Sequence, residues 1–144
     1  IEFNCRFGDP ETQPIMLRLQ SSLVELIEAA LAGQLDKTEA HWDARPSMGV
    51  VIAAGGYPAD YAKGDAITGL DQAVSADGKI FHAGTALQAD KVVTSGGRVL
   101  CATALGKTVG EAQQNAYALA RKVSWSGSFY RTDIGYRAIA REQH

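Results

Sequence analysis

Three polar side chains near the start of the chain have the types and spacing of a site for a metal ion and a phosphate. Glu2, Asn4 and Arg6 alternate along the segment IEFNCRF, so an extended backbone would point all three to one face, roughly 6 to 7 Å apart. A carboxylate and an amide carbonyl suit magnesium, and a guanidinium binds phosphate or carboxylate bidentately. A solvated amphipathic strand would explain the same spacing.

The turn that follows this segment carries two carboxylates and a glycine. Gly8, Asp9 and Glu11 would bring backbone N–H groups and acidic oxygens to the end of the strand, where they suit an ammonium or an amine. The same residues also fit a helix start, since the helix dipole favours acids there and Asp9 would cap over Pro10. The two interpretations are compatible.

Weaker candidates lie further along the chain. His82 would serve as a base, although a lone histidine beside an apolar strand is more often a hydrogen-bonded structural residue. The glycine pairs 55–56 and 96–97 would let backbone N–H groups approach a phosphate with the help of Arg98, or would simply form tight turns. The sequence has no Ser-His-Asp set, nucleophilic-cysteine context or P-loop.

The elements that must position these residues begin with a predicted strand and a predicted helix. The period-two alternation of residues 1–7 predicts a strand whose apolar face carries Ile1, Phe3, Cys5 and Phe7. Apolar residues at helical spacing from Leu19 to Leu31 then predict one helix that stops at Gly33. The polar stretch 34–47 predicts a boundary, which divides the chain into residues 1–36 and 37–144.

The second part of the chain reads as β-rich. Short apolar runs separated by glycine turns predict antiparallel strands at 48–54, 66–70, 79–83, 91–94 and 98–105. Thr108 and Glu111 form a capping box that starts a second helix. Its buried stripe is predicted to comprise Ala112, Ala116, Leu119, Ala120 and Val123. Asp133 is predicted to cap a last short helix, and the class is α+β, mostly antiparallel.

Composition narrows the functions that the chain can have. It has 144 residues, 46% of them hydrophobic, and a formal net charge of −2. A chain with this charge has no positive electrostatic field that would attract nucleic acid or an anionic membrane. No apolar stretch approaches the length that crosses a bilayer, so a cytoplasmic location is expected. Cys5 and Cys101 lack metal-ligand spacing and are predicted to be buried thiols. Because the chain opens at Ile1 without a methionine, an excised fragment is expected.

Several sequence blocks together resemble one enzyme family. EFNCRFGDPETQP, GVVIAAGGYP, FHAGT, VVTSGGRVLCATALG, the T-x-x-E-A-Q helix start and FYRTDIGYRAI occur in the order found in the carboxy-terminal part of glycinamide ribonucleotide synthetases. These enzymes are ATP-grasp ligases of purine biosynthesis. The resemblance implies that residues 1–36 end an ATP-grasp domain and that 37–144 form a β-rich domain of the barrel-sandwich hybrid type with flanking helices.

The resemblance also implies roles for individual residues. Glu2 and Asn4 would bind Mg²⁺ or Mn²⁺, and Arg6 would be the catalytic residue beside the acyl phosphate or the glycine carboxylate. The substrate-binding residues would be Gly8, Asp9, Glu11 and Arg98. The substrates would be ATP, glycine and 5-phosphoribosylamine, and the partner would be the upstream domains of the same polypeptide. The chain alone is expected to be inactive, since the strands that bind the nucleotide and the glycine-rich lid lie upstream of this part in that family.

Two other functions stay open at this point. E-x-N followed by an arginine two residues on is shared across the ATP-grasp superfamily, so another carboxylate-amine ligase or a carboxylase is an alternative. The CRFGDPE segment resembles the glycine ligases more than their relatives. The third hypothesis is a non-catalytic binding module in which the β-rich part recognises a partner.

Overall fold

Antiparallel pairing organises the strands of the computed structural model, which describes residues 5–142. The strands are β1 (Ser47–Ala53), β2 (Gly78–His82), β3 (Thr85–Gln88), β4 (Lys91–Thr94) and β5 (Arg98–Leu105). They form a three-stranded sheet in the order β1-β5-β2 and a two-stranded sheet of β3 and β4. The helices are α1 (Thr12–Arg18), α2 (Leu23–Leu31), α3 (Val109–Ala120) and α4 (Tyr136–Glu142). The predicted α+β class with antiparallel strands is confirmed.

Four of the five predicted strands are present, and one strand was missed. The apolar run 66–70 forms only isolated bridges, Ala66 with Val93 and Thr68 with Ser124. β3 is short and mostly exposed, so its hydrophobic pattern was weak; its pairing with β4 depends on the tight turn between them. In that turn Ala89 and Asp90 both have positive φ, 47° and 62°.

The core lies between the three-stranded sheet and α3. Every residue of β5 from Val99 to Leu105 is buried, because β5 is central and both of its faces are covered. Leu100 and Ala102 belong to the cluster that includes the α3 residues Ala116 and Leu119. Burying a side chain such as Leu100 stabilises the fold by roughly 1.5 to 3 kcal/mol.

The start of α3 confirms the predicted capping box. Thr108 Oγ1 accepts from the Glu111 N–H over 3.1 Å, and the Glu111 carboxylate accepts from the Lys107 N–H over 2.6 Å. The Glu142 carboxylate, from the end of α4, accepts from the Val109 N–H over 2.9 Å. All five residues of the predicted stripe are buried: Ala112, Ala116, Leu119, Ala120 and Val123.

The amino-terminal region differs from its prediction. Residues 1–4 of the predicted strand lie outside the described residues; of the remainder, residues 5 and 6 form a bend and residue 7 is irregular, and Cys5 and Phe7 are exposed. A strand needs a ladder partner, and none of the strands in residues 5–142 pairs with this segment. The helix predicted from Leu19 begins only at Leu23, as α2, because Leu19 is extended (ψ 119°) and the Ser22 side chain caps the helix by accepting from Glu25 N–H; α1, which ends before Leu19, was not predicted.

The chain between α2 and β1 runs back along α1. Arg18 donates through Nε and Nη2 to the carbonyl oxygen of Asp43, over 3.1 and 2.9 Å, and Ser47 Oγ donates to the Pro14 carbonyl. Arg45 pairs with both Asp43 and Asp77 over 2.8 Å. Hydrogen bonds from Arg45 lower the pKa of Asp43 to about 2. This segment therefore attaches α1 to the β-rich part of the chain.

The two tryptophans and Asp133 have different surroundings. Trp125 is buried, whereas Trp42 is 46% exposed and forms an isolated bridge with Leu19. Asp133 does not cap α4, which begins at Tyr136; its carboxylate pairs with Arg131 instead. Within residues 5–142, no helix is long and apolar enough to cross a membrane.

Candidate functional site

A polar pocket of about 520 Å³ lies where the amino-terminal turn meets the start of β5. Its lining consists of Arg6, Phe7, Gly8, Asp9, Thr12, Gln13 and Arg98. Four residues singled out from the sequence, Arg6, Gly8, Asp9 and Arg98, therefore come together in space. The first three are neighbours along the chain, but the fourth is brought to them only by the packing of α1 against β1 and β5.

The charged groups of the pocket are linked by hydrogen bonds. Arg98 Nε pairs with Asp9 Oδ2 over 2.9 Å, and Gln13 Nε2 donates to Asp9 Oδ1 over 3.2 Å. Arg6 Nη1 donates to the Phe7 carbonyl over 3.1 Å. The lining carries two guanidinium groups and one carboxylate, so it offers charges of both signs to a substrate.

Gly8 and Glu11 form the base of the amino-terminal turn. Gly8 is buried, and its carbonyl accepts from the backbone N–H and the hydroxyl of Thr12. The carboxylate of Glu11 lies directly over Gly8, since a Cβ built on Gly8 would approach Glu11 Oε1 to 1.9 Å. Glu11 also lines a neighbouring pocket with Arg18 and Trp42, so it stands at the rim of the polar pocket rather than in its lining.

The alternative role of Asp9 as a helix cap is not found. α1 begins at Thr12 with Glu11 in the cap position, and no side chain accepts a capping hydrogen bond there. Both carboxylate oxygens of Asp9 instead accept from side chains, those of Gln13 and Arg98. The Asp9 carboxylate therefore lines the pocket and does not cap α1.

An apolar cleft of about 540 Å³ adjoins the polar pocket and shares Arg98 with it. Its floor is the outer face of β1, formed by the alternate residues Gly49, Val51 and Ala53. Its walls are Pro10, Tyr57, Pro58, Phe129, Tyr130, Arg131 and Ile134. Arg98 therefore stands where a polar and an apolar compartment meet.

Arg131, which also lines this cleft, is held by Asp133. Nε and Nη2 of Arg131 bond to Oδ1 and Oδ2 of Asp133 over 2.9 and 2.7 Å. These hydrogen bonds raise the pKa of Arg131 and lower the pKa of Asp133. The two hydrogen bonds fix the orientation of the guanidinium beside the apolar walls.

The glycine pairs and His82 serve the fold. Gly96 N–H donates to the Gly84 carbonyl over 3.1 Å, and the Gly97 carbonyl accepts from Ala54 N–H over 2.8 Å. A Cβ on Gly55 would meet the Gly127 carbonyl oxygen at 2.9 Å, so close backbone packing explains that glycine. The exposed His82 bonds through Nδ1 to Thr85 Oγ1 over 3.1 Å, in agreement with the structural interpretation.

The predicted metal ligands Glu2 and Asn4 lie outside the described residues. In the described part, residues 5–142, no group of three or more His, Cys, Asp or Glu side chains is arranged to hold a metal ion.

Gln13 and most of the cleft residues were not predicted from the sequence. Gln13 follows Asp9 by four positions, which is helical spacing, and that signal would have placed the two side chains together. Its Oε1 is a buried acceptor with no donor among residues 5–142. Tyr57, Tyr130 and Arg131 come from distant segments, and no local pattern links them.

Comparisons with known proteins agree with the resemblance seen in the sequence. Residues 47–137 match the family described as phosphoribosylglycinamide synthetase, C domain. The chain is 78% identical over 143 residues to a phosphoribosylamine–glycine ligase of Pseudomonas syringae pv. tomato, and 74% identical over 143 residues to that of Pseudomonas putida. Each alignment covers 99% of this chain and 33% of the relative.

A solved structure gives the same result at lower identity. The crystal structure of phosphoribosylamine–glycine ligase from Thermotoga maritima superposes with a TM-score of 0.70 at 37% identity. The match covers 93% of this chain and 32% of that structure. The chain thus spans about a third of the length of the relatives it matches.

Proposed function

The chain belongs to the phosphoribosylglycinamide synthetase C-domain family, and from that premise we propose that it works within an ATP-dependent ligase that joins glycine to 5-phosphoribosylamine. The product would be glycinamide ribonucleotide, in de novo purine biosynthesis and in the cytoplasm. The observation that carries the proposal is the polar pocket in which Arg6, Gly8 and Asp9 face Arg98. It offers charges of both signs to an amino acid, beside a second compartment for the amine.

The reaction would proceed in two steps. The glycine carboxylate attacks the γ-phosphorus of ATP, the bond to the β-phosphate oxygen breaks, and glycyl phosphate and ADP result. The amine nitrogen of phosphoribosylamine then attacks the acyl carbon, the bond to the phosphate oxygen breaks, and the nitrogen loses a proton as the amide forms. Fixed positive charge stabilises the transferring phosphoryl group, which is the role we assign to Arg6.

The remaining pocket residues would bind the substrates. Asp9 and Glu11 would face the ammonium group of glycine, Gly8 would keep the backbone of the turn close to the substrate, and Arg98 would contact the amine substrate. The ion pair of Asp9 with Arg98 supports this division, because it holds one carboxylate and one guanidinium at the junction of the pocket and the cleft. When the substrates bind, Asp9 and Arg98 would replace their hydrogen bonds to each other with hydrogen bonds to the substrates, so neither side chain would be left without a partner.

The metal site is proposed on the resemblance alone. Glu2 and Asn4 would hold Mg²⁺ or Mn²⁺, whose positive charge would neutralise the phosphate oxygens of ATP. In the complete enzyme, changing both residues to Ala should abolish phosphoryl transfer. Undiminished turnover would remove the assignment.

We further propose that residues 1–36 complete an ATP-grasp domain, that 37–144 are a domain of the barrel-sandwich hybrid type, and that α2 packs against the rest of the same polypeptide. Val24, Ile27 and Leu31 lie on one face of α2 and are 64%, 48% and 83% exposed. Leu35, in the 3₁₀ turn that follows, is also 52% exposed. The relatives are about three times as long as this chain, so the polypeptide that would cover this face exists in them.

The α2 proposal is tested by the same substitution in two contexts. Ile27→Ser with Leu31→Ser should leave the unfolding free energy of this chain within about 0.5 kcal/mol, since both side chains are exposed. In the full-length protein the double substitution should lower the unfolding free energy by about 3 kcal/mol or more, because burying each apolar side chain stabilises a protein by roughly 1.5 to 3 kcal/mol. Glu28→Ser on the same helix is the control. Equal losses in both contexts would contradict the proposal.

The activity is tested by assaying the full-length protein with ATP, glycine and phosphoribosylamine. Formation of glycinamide ribonucleotide and ADP is expected, and replacement of glycine by formate or bicarbonate should stop it. Turnover with either replacement would favour another ATP-grasp reaction. This chain alone should form no product, and rapid turnover by it would contradict the assignment of essential parts to the rest of the enzyme.

A further inference from the structure

We propose that the apolar cleft beside the polar pocket binds the sugar phosphate part of the amine substrate, with Arg131 as the residue that holds the phosphate. The inference rests on the proposed function, and it adds a binding residue and a ligand orientation to it. Arg98 and Arg131 both line the cleft, and Arg98 also lines the polar pocket. In the proposed orientation, the end of the ligand that reacts lies at Arg98 and the phosphate end lies at Arg131.

The bonding of Arg131 leaves one edge of its guanidinium for a ligand. Asp133 occupies Nε and Nη2, and among residues 5–142 no partner is found for Nη1. The side chain is 70% exposed, so an anion can reach it without any rearrangement of the fold. A guanidinium that is already oriented by a carboxylate loses little conformational freedom when it binds a phosphate.

The backbone that carries Arg131 is fixed from both sides. Tyr117 OH donates to the Arg131 carbonyl over 2.7 Å and accepts from the Ile134 N–H over 3.1 Å. Phe129 and Ala53 exchange two backbone hydrogen bonds, of 2.8 and 3.1 Å, which join the same segment to β1. Residues 129–134 thus form a preorganised wall, as a binding site requires.

The shape and chemistry of the cleft suit a phosphorylated pentose. Tyr57 and Tyr130 provide apolar surfaces for the C–H faces of a sugar. A volume of about 540 Å³ is within the range of small-molecule sites. The sugar would lie between these walls with its amine towards Arg98 and Asp9 and its phosphate towards Arg131.

The test compares two arginines of the full-length protein that differ in their relation to the cleft. Arg131→Gln should raise the KM for phosphoribosylamine about 10- to 100-fold, the loss expected when one charged hydrogen-bonding group is removed. The KM values for glycine and ATP should stay unchanged. Arg131→Lys, which keeps the charge, should recover part of the loss. Arg137→Gln is the matched control, because Arg137 lines the neighbouring surface with Arg131 but not the cleft.

A substrate without the phosphate provides a second readout. The wild-type protein should prefer phosphoribosylamine to ribosylamine, and Arg131→Gln should lose most of that preference whereas Arg137→Gln keeps it. An unchanged KM and preference in Arg131→Gln, or an equal loss in Arg137→Gln, would overturn the inference.

Binding of ribose 5-phosphate separates this inference from the proposed function. If the wild-type protein makes no glycinamide ribonucleotide, the proposed function fails; calorimetric titration with ribose 5-phosphate then still tests the cleft. Weaker binding in Arg131→Gln than in Arg137→Gln supports the sugar phosphate site. Equal binding in both variants, or none in the wild type, rejects it.

Discussion

Arg98, the first residue of β5, pairs through Nε with Asp9 Oδ2 over 2.9 Å and so joins the amino-terminal turn to the sheet. The two side chains are 43% and 41% exposed, and solvent therefore screens their attraction. An ion pair of this kind contributes roughly 0 to 1 kcal/mol to stability. Under the proposed function, its position between the pocket and the cleft would matter more for binding than for folding.

Changing this pair should separate activity from stability. Asp9→Asn and Arg98→Gln should each shift the unfolding free energy by no more than about 1 kcal/mol. In the full-length protein each should lower kcat/KM for ligation by about tenfold or more, because a charged partner of the substrate is lost. Denaturant unfolding and initial rates measure the two effects. Arg121→Gln, an exposed arginine at the end of α3, is the control, and equal activity of Arg98→Gln and this control would contradict the prediction.

Gly97 should not tolerate a side chain. A Cβ there would lie 2.2 Å from Tyr57 Cδ2 and 3.0 Å from Tyr61 Cε1. Gly97→Ala should therefore destabilise the chain by about 1 to 3 kcal/mol and displace Tyr57 from the cleft wall. In Gly110→Ala the nearest atom would be Thr108 Oγ1 at 3.8 Å, and helix propensity should stabilise that variant by up to about 1 kcal/mol. Chemical denaturation compares the two, and shifts of the same sign and size would refute the steric account.

The pair of Asp43 with Arg45 predicts a specific acid sensitivity. Arg45 lowers the pKa of Asp43 from 3.8 to about 2 in the folded protein. The ionised carboxylate therefore stabilises the fold fully above the unfolded pKa, and this contribution is lost as the pH falls through the folded pKa. Asp43→Asn should flatten the decline of stability between pH 3.8 and about 2, as measured by urea unfolding at each pH. Asp36→Asn controls for the removal of a surface carboxylate; an identical slope in wild type and Asp43→Asn would count against the pair.

The two cysteines should differ sharply in reactivity. Cys101 is 1% exposed, and burial raises its pKa, so the protonated thiol is both shielded and weakly nucleophilic. Cys5 is exposed. A maleimide should label Cys5 in the native chain and Cys101 only after unfolding, as followed by mass spectrometry. Rapid labelling of native Cys5→Ser would show that the β5 thiol is accessible.

Local sequence patterns predicted the parts of the fold that local interactions stabilise. The capping box of Thr108 and four of the five residues of the predicted stripe belong to α3 and its cap, and both features are present; Val123 is buried just after the helix ends. The amino-terminal strand was predicted by the same kind of pattern, but its described part, residues 5–7, is not a strand, since a strand depends on a partner that alternation cannot supply. Cys5 was wrongly expected to be buried for the same reason.

The sequence by itself determined which types of side chain the site contains. It also determined that Arg6, Gly8 and Asp9 lie close together, because these residues belong to one turn. Only the tertiary structure decided that Arg98 completes their pocket and that Tyr57, Tyr130 and Arg131 form the adjoining cleft. Those contacts arise when α1 packs on β1 and β5 and when residues 129–134 return to the edge of β1. Such approaches are set by the burial of apolar surface between distant segments, which has no periodicity along the chain.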